Sequence, residues 1–212
     1  MMTRAFVATI LVLIGAAVGL PADAAQAQNI IDEWANVKAP PAPELKPVTA
    51  DPKTTALLMI DYLPGGYCGG KPRCVATLPA MKQLLAEARA HNAAVIYSVA
   101  GNFGPSDILK DVAPLGNEPW VKSHADKFVH TDLEKILKDK GVQTVIVTGT
   151  AANGGVLYTA SGAALRDFKV IVPTDGLSSE DLYAEQFTVW QLAHGPGFAA
   201  QVTMTKSDTI KF

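Results

Sequence analysis

Short unbroken apolar runs alternate along this chain with longer segments in which apolar residues return every three or four positions. The runs TTALLMI, AAVIYSVA, VQTVIVTG, KVIVPTD and QVTMTK have the length and content of buried strands. Between them lie LPAMKQLLAEARAHN, TDLEKILKDKG, GVLYTASGAALRDF and DLYAEQFTVWQLAH, which carry the helical period. In the first of these, Met81, Leu84, Leu85 and Ala88 follow the i, i+3, i+4, i+7 spacing that lines one helix face. In the second, Thr131 stands three residues before Glu134, the spacing of a capping box. Strands alternating with helices predict an α/β fold, a three-layer sandwich with a mainly parallel sheet and helices on both faces. No internal repeat interrupts the pattern.

The pattern starts only at Thr54. Before it, MMTR is followed by an uncharged run from Ala5 to Ala22 and then by small residues, the layout of a signal peptide over residues 1–27. Cleavage fits after Ala22-Asp23-Ala24 or after Ala25-Gln26-Ala27, the second being preferred; a retained anchor is the competing reading, set back by the short run and Pro21. Residues 28–53, with KAPPAPELKP, read as an extended Pro/Ala-rich arm, and 54–212 as one domain. The expected location is therefore outside the cytoplasm, periplasmic or secreted, with no membrane span left after processing. There Cys68 and Cys74 can close a small disulfide loop; the alternative, a nucleophilic thiol, lacks a recognisable His partner. A formal net charge of −2 gives no basic excess for nucleic acid, which leaves a small molecule, and copies of the chain itself, as expected partners.

Parallel sheets bind ligands beyond the C-terminal ends of their strands, so residues that follow strand runs are the candidates for chemistry. Asp61 follows ALLMI, Lys122 follows Pro119-Trp120-Val121, and the Asn153-Gly154-Gly155 turn follows TVIVTG. A carboxylate there is partly desolvated, a lysine supplies the compensating cation, and peptide N–H groups at a helix start can hold an oxyanion or carboxylate. Each also has a plain structural reading as a loop cap, a solvated lysine and a tight turn. Trp120, Tyr62 and Phe103 are candidate apolar walls, with core packing the alternative. None of the four histidines has metal-ligand spacing; His91 suits a helix C-terminus, and His124 and His130 flank the lysine segment.

In their order, LLMID, then WVK with Phe128, Thr131 and Leu133 after it, then VIVTGTAANGGVLYTA resemble the isochorismatase-like, or cysteine-hydrolase, superfamily from about Ala56 to Asp175. The resemblance implies a three-layer α/β sandwich and a site of Asp, Lys and Cys, which fall on Asp61, Lys122 and Gly155. Gly155 departs from the pattern, because glycine offers no nucleophile for a covalent intermediate. It agrees instead with the branch that hydrolyses vinyl ethers such as isochorismate, in which Asp protonates the substrate, although the aromatic and His residues usual in that turn are here Ala151, Ala152 and Asn153. Leu63 replaces a common Gln, YSVAGNFGPSD lacks the metal-binding His of the nicotinamidases, and Lys127 stands where a small residue is usual, either a second cation near the pocket or a solvated one. The expectation is a hydrolase that uses no cofactor and no metal, acting on a small polar molecule through an Asp61–Lys122 pair and water, with Asn153, Gly154, Trp120 and Tyr62 against the substrate. The rival is a non-catalytic small-molecule-binding protein of the same fold; a third reading has Gly155 introduced into a Cys enzyme.

Overall fold

Successive side chains of β2 (Thr55–Ile60) point to opposite faces, and every one of them is buried. Such a strand has a layer on each side, and the computed structural model, which describes residues 29–212, supplies both. Leu58 and Ile60 join a cluster with Val145, Val147, Leu133, Ala160 and Leu192, while Leu57 and Met59 join Leu78, Met81, Leu85 and Ile146. The first cluster lies under α2 (Leu133–Asp139), α3 (Leu157–Ala164) and α4 (Leu182–His194), the second under α1 (Pro72–Ala90). The result is the three-layer α/β sandwich that the alternation predicts.

The main sheet is wholly parallel, in the order β4-β3-β2-β5-β6-β8, with β3 at Ala94–Val99, β4 at Trp120–Lys122, β5 at Thr144–Thr150, β6 at Lys169–Pro173 and β8 at Val202–Thr205. A two-residue strand, β7 (Leu177–Ser178), takes over from β6 beside the last residues of β5. The strand ends of β2, β3 and β5 therefore lie side by side. Only glycine can occupy position 149 there, since a Cβ would sit 2.0 Å from the Ile60 carbonyl oxygen and φ is +127°.

The elements differ from the sequence pattern at their starts. Helix α1 begins at Pro72, ahead of its clear periodicity, because proline suits the first helical position. The capping box at α2 does not form: the Thr131 hydroxyl donates to the Lys127 carbonyl and accepts from the Leu133 N–H, while Glu134 pairs with Lys138 and Arg166. Ahead of the sheet, the Lys46 N–H donates to the Met204 carbonyl, and β1 (Val48–Thr49) pairs with β9 (Ile210–Lys211), so the end of the Pro/Ala-rich segment is stitched to the C-terminal strand. Residues 29–39 belong to a separate unit and hold one short turn, Trp34–Asn36. The predicted signal peptide, 1–27, lies outside the described residues.

Candidate active site

Asp61 is the residue after β2 and takes a left-handed backbone, φ +52°, which aspartate tolerates better than most side chains. Its carboxylate is 4% exposed and both oxygens are engaged: the Ser98 hydroxyl donates to Oδ1 at 2.7 Å and the Lys127 ammonium to Oδ2 at 2.7 Å. Lys127 is 1% exposed, and its Nζ also donates to the His124 carbonyl at 2.5 Å and approaches the Ser123 carbonyl at 3.5 Å. Three oxygen acceptors thus surround the ammonium, and its hydrogens are directed at the protein. Burial pushes the Asp61 carboxyl above its usual range, against the opposing pull of Lys127 and Ser98.

The lysine reaches this position because residues 123–131 fold into a turn closed by their own polar groups. The Ser123 hydroxyl bonds the Asp126 and Val129 carbonyls, the Asp126 carboxylate accepts the Phe128 N–H, and the Lys127 N–H donates to Thr159 on α3. Phe128, buried, stacks with Phe168 at 6.3 Å and anchors the far side. From β5 the chain enters a π-helical turn, Ala152–Val156, whose Gly154 and Val156 N–H groups return to the Ala151 carbonyl. Gly155 is buried within it. A Cβ on it would lie 3.7 Å from Asp61 Oδ2, but 2.9 Å from the Ile60 Cγ2 methyl and 3.1 Å from the Thr150 carbonyl oxygen. The backbone is thus packed for glycine, directly beside the carboxylate.

The expected Asp61–Lys122 pair is corrected by this geometry. Lys122 ends β4 with its side chain exposed, two strands from β2 in the sheet, in a groove with Trp120, His130 and Asp132 of about 260 Å³. Lys127 takes its place because the turn after β4 carries the later lysine back over the strand ends. Trp120, 45% exposed, lies with Lys122 at that edge of the sheet and not among the partners of Asp61. Tyr62 is buried on the α1 face with its hydroxyl donating to the Gly176 carbonyl at 3.3 Å, so it packs in the core, and burial pushes its phenol up. Asn153 is exposed at the rim, its Oδ1 accepting from the Ser179 hydroxyl. Gly154 and Gly155 stand together at the turn. His124 contributes a backbone carbonyl, and the His91 ring stands 2.9 Å from the carbonyl one turn back in α1. Phe103 packs edge-on against Tyr67. Cys68, in the loop between β2 and α1, is disulfide-bonded to Cys74 in the first turn of α1. Ser98 gives no signal in the sequence, since a serine near the end of an apolar strand looks like any other; only its pairing with Ile60 across β2 and β3 brings its hydroxyl to Asp61.

The larger grooves lie away from this cluster. One of about 580 Å³ runs between α1 and the last residues, and one of about 480 Å³ between Pro40–Leu45 and α4, whereas the cavity touching Ser98 and Lys127 holds about 10 Å³. A buried carboxylate bonded to a buried ammonium beside a bare turn is an arrangement in which proton transfer is possible, which makes Asp61 and its partners, and not either groove, the candidate site. Among the described residues no group of His, Cys, Asp or Glu is placed to hold a metal ion.

Comparison with known proteins agrees with this arrangement of strands. The model of the isochorismatase domain family matches residues 55–206. The secreted isochorismatase effector Isc1 of Verticillium dahliae is 30% identical over 150 residues, 64% of this chain and 78% of its own length. Among solved structures, an isochorismatase-like hydrolase from Alkaliphilus metalliredigens superposes with a TM-score of 0.64 at 23% identity, over 73% of this chain and 95% of that one. N-carbamoylsarcosine amidase from Thermoplasma acidophilum does so at 0.62 and 20% identity, over 73% and 97%. At those identities the two structures speak for the fold alone.

Proposed function

This chain belongs to the isochorismatase family, and we propose that it hydrolyses a vinyl ether of the isochorismate type, with Asp61 as the proton donor and no covalent intermediate. The observation that carries the reading is the Asp61 carboxyl, buried, raised in pKa and 3.7 Å from where a side chain at position 155 would begin. In the reaction the Asp61 carboxyl gives its proton to the vinyl carbon, and the electron pair of the double bond forms the new C–H bond. Water adds to the resulting oxocarbenium carbon and loses a proton to the Asp61 carboxylate. The hemiketal then collapses to a carbonyl compound and an alcohol, so one water is consumed and the acid is restored. Lys127 holds the carboxylate in place through both states, and Ser98 fixes which oxygen faces the turn.

Three features support this chemistry over amide hydrolysis. Glycine at 155 supplies no nucleophile, its surroundings leave little room for a Cβ, and a raised carboxyl retains its proton to higher pH than an exposed one. The Verticillium relative, a secreted isochorismatase effector, supports this substrate class and the export proposed from residues 1–27. The test is turnover of isochorismate, simple vinyl ethers and small amides by the wild type and by Asp61→Asn. Vinyl-ether hydrolysis that depends on Asp61 is expected. Hydrolysis indifferent to Asp61→Asn defeats the mechanism, and tight binding of these compounds with no turnover of any of them favours a binding protein.

A further inference from the structure

A vinyl ether of the isochorismate type carries a carboxylate on the carbon that bears the ether oxygen, one bond from the carbon that Asp61 protonates. That anion comes to rest beside a buried carboxyl, where it needs hydrogen-bond donors. Lys127 is not free to supply them. Its three ammonium hydrogens are directed at Asp61 and at the Ser123 and His124 carbonyls. Among the described residues each arginine is committed as well, Arg73 to Glu185, Arg89 to Glu118 and Arg166 to Glu134. Lys122 lies two strands away.

Two exposed polar side chains stand on the segments that flank Asp61, one on each. His124 belongs to the turn of residues 123–131, and its carbonyl is 2.5 Å from the Lys127 ammonium that bonds Asp61 at 2.7 Å. The Lys127 N–H holds this turn to Thr159 of α3 at 3.1 Å, and the His124 ring has no protein partner among the described residues. Asn153 lies two residues before Gly155, whose Cβ position is 3.7 Å from Asp61 Oδ2. Its amide is not left to solvent alone. The Ser179 hydroxyl, in a residue only 5% exposed, donates to Asn153 Oδ1 at 2.9 Å, and Ser179 is fixed in turn because its N–H donates to Glu185 at 2.9 Å. A buried serine thus spends its hydroxyl on orienting an exposed amide, and the two hydrogens on Nδ2 are left over.

We propose that His124 and Asn153 hold the carboxylate of the substrate, one from each side of Asp61, and so determine specificity for vinyl ethers that carry one. The inference rests on the proposed reaction for the class of substrate. An amide and an imidazole suit the task, because the permanent charge of a lysine or arginine at the same place would favour the ionised Asp61 and draw off the proton it has to give.

Steady-state kinetics on isochorismate and on ethyl vinyl ether, which has no carboxylate, test it in the wild type, Asn153→Asp and His124→Ala. Asn153→Asp keeps the oxygen that Ser179 bonds and replaces the donors by a negative charge. KM for isochorismate should rise about tenfold or more in each variant, with kcat within about twofold of wild type. Both constants for ethyl vinyl ether should stay within about twofold. An unchanged KM for isochorismate, an equal loss on the two compounds, or hydrolysis of ethyl vinyl ether alone overturns the proposal. If the wild type hydrolyses neither compound, the proposed reaction fails, and titration calorimetry of isochorismate into the same three proteins decides the subsite by itself. Binding weakened about tenfold or more in both variants upholds it; binding that is absent from the wild type, or indifferent to the substitutions, overturns it.

Discussion

Lys122 and Lys127 are five residues apart and live in opposite surroundings. The Lys122 ammonium projects into water at the edge of the sheet, where a charge is well solvated and its removal changes little. The Lys127 ammonium has given up that water for three oxygen acceptors, one of them a carboxylate that is itself desolvated. A buried pair of this kind adds little net stability over an apolar pair, yet each partner is costly to leave alone. Proximity in sequence is thus no guide to charge environment; what decides is whether the backbone turns the side chain into the layer between sheet and helix.

The contrast can be broken at several points, with effects that fall in order. Replacing Asp61 by Asn removes the transferable proton while keeping the shape, and is expected to lower turnover of a vinyl-ether substrate by about a hundredfold to ten-thousandfold; Lys122→Ala should leave kcat within roughly twofold of wild type. Lys127→Met strands the Asp61 carboxyl, so urea unfolding at neutral pH should show a loss of about 3–5 kcal/mol. Lys122→Met is expected to stay within about 0.5 kcal/mol of wild type, and equal effects at the two positions would erase the distinction.

A smaller effect comes from Gly155→Cys. Its Cβ meets the Ile60 methyl at 2.9 Å, so the variant should lose about 1–3 kcal/mol. Adding Ile60→Ala relieves that contact, and only the double variant is expected to carry a titratable thiol beside Asp61 and to gain slow turnover of small amides. A single Gly155→Cys variant of wild-type stability would mean that position 155 is packed for a larger residue.

The smallest expected signal is in pH. Burial holds the Asp61 carboxyl above its ordinary 3.8. The folded state therefore binds this proton more tightly than the unfolded chain, and the resulting stability is complete below the ordinary value and lost as pH rises through the folded one. Accordingly, the melting temperature of wild type relative to Asp61→Asn should decline as pH is raised from 3 toward neutrality, while its difference from Lys122→Ala stays level. A difference from Asp61→Asn that widens with pH would give Asp61 a lowered value instead.

Much of the fold is legible in the sequence. Strand runs at Thr55–Ile60, Ala94–Val99 and Thr144–Thr150 are apolar on both faces, and that property of a parallel sheet is written residue by residue. Asp61 and the Asn153–Gly155 turn were legible because a polar or glycine residue ending such a run has to lie at the sheet's C-terminal edge. The short β4 was legible only as the stretch Pro119-Trp120-Val121 ahead of Lys122, since three residues with two exposed carry no periodic signal. Tyr62 misled because a residue next to a catalytic candidate shares its place along the strand but alternates to the other face.

By itself, then, the sequence determined the layers, the order of the elements, the placement of Asp61 at a strand end and the absence of a nucleophile at Gly155, because these depend on local period and residue type. The partner of Asp61 was decided by tertiary structure alone. Lys122 and Lys127 are chemically the same, and the choice between them follows from how Ser123, Asp126 and Thr159 bend residues 123–131 back over the sheet. That return is a long-range contact between β4, α3 and the end of β2, and no local pattern in the chain encodes its path.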